Sequence, residues 1–85
     1  MSIFIKICGI TNDEDANLSI EYGADAIGLN QYEKSPRFVN KKELLKIKNS
    51  LDDDVLIVPV FVNPKEGEVL KFLDIYPNSV LQFHG

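Results

Sequence analysis

The chain has a single cysteine and a single histidine among its 85 residues. One cysteine excludes an internal disulfide, and a Cys and a His at opposite ends of the chain, with no ligand cluster around either, give no metal site. No apolar run approaches the roughly 18 residues that a membrane helix requires. The start Met1-Ser2-Ile3-Phe4 has neither the basic region nor the cleavage site of a signal peptide. A cytoplasmic protein without membrane association is expected. Basic residues are also few. Nine Lys and Arg against thirteen Asp and Glu leave a net charge of -4, which argues against a nucleic-acid surface built on phosphate contacts. No glycine-rich phosphate loop, linker, charge block or low-complexity stretch interrupts the chain, so residues 1–85 read as one small domain. A chain of this length buries only about 60 to 65% of its unfolded surface, which makes any core marginal without outside help.

What is present alternates between two kinds of segment. Ile3 to Cys8, Asp25 to Asn30, Val55 to Val62 and Ser79 to Phe83 are short and apolar, as strands covered on both faces tend to be. Between them the spacing predicts helices from about Asn12 to Tyr22, Lys41 to Leu51 and Pro64 to Tyr76. Their expected core faces are Ala16, Ser19, Ile20 and Gly23; Leu44, Ile47, Lys48 and Leu51; and Val69, Phe72, Leu73 and Tyr76. Thr11 with Glu14, Asn40 with Glu43, and Asn63 with Glu66 read as N-terminal caps, and Gly23 and Pro77 as stops. The order β-α-β-α-β-α-β with short connections calls for right-handed crossovers and a parallel sheet.

Strand parity separates two faces. Ile3, Ile5 and Ile7 share one side, and Phe4, Lys6 and Cys8 the other; Leu81 and Phe83 likewise oppose Val80, Gln82 and His84. A Lys and a Gln at mid-strand are costly to bury in an open sheet covered on both faces. A closed barrel, whose inner face turns polar toward its C-terminal rim, accommodates them, and that rim is where such barrels place their chemistry.

Five stretches taken together resemble phosphoribosylanthranilate isomerase: Lys6-Ile7-Cys8-Gly9-Ile10-Thr11, Gly23-Ala24-Asp25-Ala26-Ile27-Gly28, Ser35-Pro36-Arg37-Phe38-Val39, Val60-Phe61-Val62-Asn63 and Leu81-Gln82-Phe83-His84-Gly85. The resemblance runs the whole chain but covers only the first half of the family's pattern, a (βα)8 barrel of about 200 residues. It implies an α/β fold of parallel (βα) repeats, the N-terminal half of a TIM barrel. Departures from the pattern are Leu29-Asn30-Gln31 and Pro59.

The reaction so implied is an Amadori rearrangement in tryptophan biosynthesis, from N-(5-phosphoribosyl)anthranilate to 1-(2-carboxyphenylamino)-1-deoxyribulose 5-phosphate. It needs an acid to protonate the ribose ring oxygen and a base to remove a proton from the adjacent sugar carbon. By resemblance Cys8 is the base, and the acid is an Asp on a fifth strand. Cys8 also lies just before a helix N-terminus, whose partial positive charge favours anions. The plain alternative is a small core hydrophobe.

Arg37 is expected to bind the anthranilate part, because a planar fork of donors pairs with a carboxylate and stacks on a ring. Otherwise it is a solvated loop arginine. His84 is expected on the cavity rim, with a frayed terminal residue as the alternative. Lys6 lies on the Cys8 face, to act on the thiol or in a structural ion pair. Asn30 and Gln82 are further polar cavity groups. Asp25 and Asp52-Asp53-Asp54 read as solvated turn residues and not as substitute acids.

No organic cofactor is required, since proton transfers alone carry the reaction. The expected partners are the phosphosugar-anthranilate substrate and either a complementary C-terminal half-barrel or a second copy. A non-catalytic half-barrel, or another phosphosugar-processing barrel, are the alternatives. The acid and phosphate loops of the family belong to strands five, seven and eight, so the 85 residues alone are expected to be inactive and exposed at both sheet edges.

Overall fold

The computed structural model describes residues 3–84; Met1, Ser2 and the Gly85 that closes the last motif lie outside the described residues. The elements run β1 (Lys6–Ile7), α1 (Asp13–Glu21), β2 (Ala26–Asn30), α2 (Lys41–Ser50), β3 (Leu56–Val62), α3 (Glu66–Ile75) and β4 (Gln82–His84). The strands form one parallel sheet in the order β1-β2-β3-β4, so each βα unit adds the next strand on the same side. Neighbouring strands in sequence are neighbours in space, which is the winding of a barrel wall.

The faces divide as parity requires. Ile27 and Leu29 of β2 and Ile57 and Phe61 of β3 point outward and pack with Ala16, Leu44, Ile47, Phe72 and Tyr76 of the helices. Phe61 meets Phe72 edge-on at 5.9 Å between centroids, and Phe72 stacks on Tyr76 at 5.2 Å. The buried Tyr76 hydroxyl donates to the Leu44 carbonyl at 2.7 Å, while Lys48 donates to the Ile75 carbonyl and lies 5.5 Å above the Tyr76 ring. These contacts join α2 to α3. The expected core position of Lys48 is therefore a covering one: its stem crosses the interface and its ammonium stays exposed.

Several expectations need correction. The cap of α1 is Asn12, whose side chain accepts from Asp15 N at 2.8 Å, and not Thr11. Asn12 is the last extended residue (φ -150°, ψ 168°), so its amide oxygen is the one placed to meet the free N–H groups. Ser19 spends its hydroxyl on the Asp15 carbonyl at 2.8 Å instead of entering the core. The third helix begins two residues later than its sequence signal. Asn63 takes a left-handed turn (φ 43°), a conformation Asn tolerates better than most residues, and Lys65 stands at the cap without a side-chain bond. Asn40 caps α2 as expected, accepting from Glu43 N at 2.9 Å. Gly23, at φ +100°, closes α1.

Asp25 is exposed but not idle. Its carboxylate accepts from Ile5 N at 2.8 Å, and its own N–H donates to the Ile5 carbonyl at 2.8 Å, clamping the entry of β1 to that of β2. Pro59 sits inside β3, where a missing N–H normally breaks a ladder. Val60 gives its carbonyl to Gln31 beside β2, and Ile57 gives its carbonyl to Val80 ahead of β4. Parity thus turns Pro59 toward β4, just below the point where pairing starts at Val60 with Gln82.

Both ends of the sheet are bare. Ile3, Phe4, Ile5 and Ile7 at one edge and Val80 and Phe83 at the other are all exposed, Ile3 by 76% and Phe83 by 57%. The edge strand β1 keeps only two residues in its ladder.

Candidate active site

The C-terminal ends of the strands gather the polar side chains that the apolar wall leaves behind. Cys8 follows β1 directly, Asn30 closes β2, and Gln82 and His84 stand on β4. Register carries Cys8 to the level of Gly28 and of Val58, since Ile7 pairs with Ile27 and Gly28 with Val58. Gly28 is what lets the thiol sit there: a Cβ at that position would come within 3.2 Å of both Cys8 Sγ and Cys8 Cα. The thiol is free and exposed.

Arg37 reaches the same corner from the loop between β2 and α2. That loop is tied at several points: Ser35 N–H to the Tyr32 carbonyl at 2.9 Å, Arg37 N–H to Ser35 Oγ at 3.1 Å, and Val39 N–H to the Asn30 carbonyl at 3.0 Å. Gln31 adds two more bonds, donating to the Asn30 and Val39 carbonyls at 3.0 Å each. Held this way, the Arg37 side chain lies on Gly9, where a Cβ would come within 3.0 Å of a guanidinium nitrogen. Gly9 adopts φ +78°, a left-handed turn that only glycine takes without strain. The guanidinium therefore rests on the residue next to Cys8.

Across the concave face a second group forms. Lys6 Nζ donates to Gln82 Oε1 at 2.7 Å, and Gln82 Nε2 lies 2.7 Å from His84 Nε2. Among the described residues Lys6 makes no ion pair. Asn30 uses its side-chain oxygen to accept from Tyr32 N at 2.8 Å, which shapes the loop that carries Arg37. The six residues singled out in the sequence thus fall into two clusters on one face, Cys8 with Arg37 and Lys6 with Gln82 and His84, with Asn30 supporting the first.

Gly9, Gly28 and Gln31 have roles that no residue-type argument assigned. The glycines stood inside recognised stretches, and a close backbone approach is the reason such positions stay small. Gln31 stood out only as a departure from the family's pattern, because nothing local says that its amide bridges two carbonyls nine residues apart. Two clefts of about 470 and 460 Å³ lie elsewhere, one at the opposite end of the sheet beside Asp52 and Asn78, the other between α2 and α3 beside Gln31 and Lys71. Neither is lined by Cys8, Arg37 or His84, since among the described residues nothing stands opposite their concave face. No helix of the described residues is long and apolar enough to cross a membrane.

A family model described as N-(5'phosphoribosyl)anthranilate (PRA) isomerase matches residues 5–85. The chain belongs to the phosphoribosylanthranilate isomerase family. The N-(5'-phosphoribosyl)anthranilate isomerase of Azotobacter vinelandii is 50% identical over 80 residues, covering 94% of this chain and 39% of that protein. The crystal structure of the phosphoribosylanthranilate isomerase of Thermotoga maritima matches with a TM-score of 0.89 at 39% identity, over 99% of this chain and 41% of that one. A phosphoribosylanthranilate isomerase in complex with reduced 1-(o-carboxyphenylamino)-1-deoxyribulose 5-phosphate matches equally well, with a TM-score of 0.89 over 99% of this chain and 43% of that one. The chain spans about 40% of the length of these relatives. Its four-stranded wall corresponds to the N-terminal half of their TIM barrels.

Proposed function

We propose that residues 1–85 form a single half-barrel unit carrying the base side of a phosphoribosylanthranilate isomerase site. In this reading the substrate is N-(5-phosphoribosyl)anthranilate, and the product is 1-(2-carboxyphenylamino)-1-deoxyribulose 5-phosphate. A general acid protonates the ribose ring oxygen, and the ring opens to a Schiff base. Cys8 then takes the proton from the adjacent sugar carbon, giving an enolamine that becomes the ketone. Arg37 holds the anthranilate carboxylate, and His84 stands at the rim, with Lys6, Gln82 and Asn30 as the polar floor. The observation that carries the reading is the seating of the Arg37 guanidinium on Gly9, beside the thiol, because a base and an aromatic-acid clamp must act on one small molecule.

The acid and the phosphate loops come, in this reading, from the other strands of a complete barrel. The 85 residues alone are then inactive. Anthranilate fluorescence falls as substrate is consumed, so turnover is measured for the chain alone and for the chain mixed with a C-terminal half-barrel supplying strands five to eight. Turnover only in the mixture supports the reading, and no turnover in either condition rejects it.

A second reading has its own support: a non-catalytic half-barrel that assembles with a partner. Ile3, Ile5 and Ile7 at one edge and Phe83 at the other are exposed and apolar, and a sheet left with two such edges pairs with whatever completes it. Inactivity of the mixture together with a stable complex selects this reading.

A further inference from the structure

Lys6, Gln82 and His84 form a line of hydrogen bonds whose direction is fixed at one end. A lysine ammonium has three donors and no acceptor, so the Gln82 atom 2.7 Å from Lys6 Nζ has to be the amide oxygen. The opposite orientation would set two donors against each other. That leaves the amide nitrogen, a donor only, at 2.7 Å from His84 Nε2. His84 Nε2 must then accept, which requires the ring proton to be on Nδ1.

From this geometry we infer that Gln82 is a positioning residue for His84: oriented by Lys6, it holds the imidazole as the Nδ1–H tautomer. A free histidine in water prefers the other tautomer, so the line imposes a form the side chain does not choose on its own. With Nε2 engaged, Nδ1–H is the donor that the ring offers to an acceptor oxygen of a bound molecule. This last step rests on the proposed substrate; the tautomer does not. In this line Lys6 and Gln82 act through His84.

His84 is the chain's single histidine, so its ring nitrogens are read without ambiguity by long-range 1H–15N correlation on the 15N-labelled chain completed by an unlabelled C-terminal half-barrel, at a pH where the ring is neutral. The expected spectrum shows a protonated Nδ1 and an unprotonated Nε2. Gln82→Glu replaces the donor with an acceptor and moves the proton to Nε2. Lys6→Met frees the amide to turn and returns the ring toward the free-imidazole mixture, whereas Lys6→Arg, which also only donates, keeps the native pattern. Chain grafted onto the C-terminal half of the Thermotoga maritima relative gives the same readout in a closed barrel. A native spectrum with the proton on Nε2, or an unchanged pattern in Gln82→Glu or Lys6→Met, overturns the inference. The measurement uses no substrate, so an inactive protein leaves it standing, and a wrong tautomer leaves the isomerase reading standing.

Discussion

The Cys8 thiol lies over Gly28, so close that any side chain larger than hydrogen on β2 at that level would meet Sγ at 3.2 Å. One strand's glycine thus sets the position of its neighbour's thiol.

Gly28→Ala follows from that contact. Gly28 and its flanking strand residues are buried, so the added methyl has no room to move and the thiol must yield. We expect a stability cost of about 1–3 kcal/mol, the range for an overpacked methylene, measured by chemical denaturation. With Cys8 as the base that we propose, a shift of the thiol by a few tenths of an ångström is expected to lower kcat in the complemented barrel, by less than the roughly 100-fold that a misplacement of about 1 Å costs. A variant with native kcat shows that the thiol does not depend on this seat.

Asn12→Ala and Thr11→Ala separate two candidate caps. Asn12 accepts from Asp15 N at 2.8 Å, so its truncation is expected to cost about 1 kcal/mol. Thr11 makes only a 3.5 Å contact with the Asn12 amide, and its truncation is expected to stay within about 0.5 kcal/mol. Midpoints of urea unfolding for the two variants decide the order.

Tyr76→Phe tests the joint between α2 and α3. Losing the bond to the Leu44 carbonyl is expected to cost about 1 kcal/mol at neutral pH. Burial pushes the Tyr76 phenol well above its ordinary value of 10.0. Below that pH the phenol is neutral in both states and its contribution is complete. As pH rises above about 10 the unfolded chain loses the proton first, so stability falls until the folded phenol titrates. The wild-type stability curve should therefore drop more steeply above pH 10 than that of Tyr76→Phe, measured by unfolding at a series of pH values.

Ile7→Lys and Phe83→Lys address the bare edges. Each puts a charge on an exposed apolar edge position, a device by which sheets resist pairing. Sedimentation is expected to show the wild-type chain as oligomer or aggregate, and the double variant shifted toward monomer. A wild-type chain that sediments as a single monomer with a sharp unfolding transition contradicts this expectation.

Much of the wall was legible in the sequence because parity and helix periodicity are strong local signals. The outward set Ile27, Leu29, Ile57 and Phe61 and the inward pair Lys6 and Gln82 follow from period two alone. Boundaries were less legible: β1 shrank to Lys6–Ile7 since an edge strand has one partner, and α3 waited for Asn63 and Pro64 to turn the chain. Within the site, residue types indicated who takes part and not how they meet. That Arg37 lies on Gly9, that Asn30 spends its oxygen on Tyr32, and that Asp25 clamps Ile5 are tertiary facts, set by loop paths that no short pattern records.

The bond between Lys6 and Gln82 also has a mechanical meaning. Strands one and four of a flat sheet would stand roughly 14 Å apart at about 4.8 Å per strand, with their side chains pointing straight up and out of each other's reach. A separation of 2.7 Å between the two tips demands that the sheet curl toward them. Lys6 and Gln82 act as the string of a bow, so the arc of the wall is written into these residues and is not forced on them by whatever closes the circle.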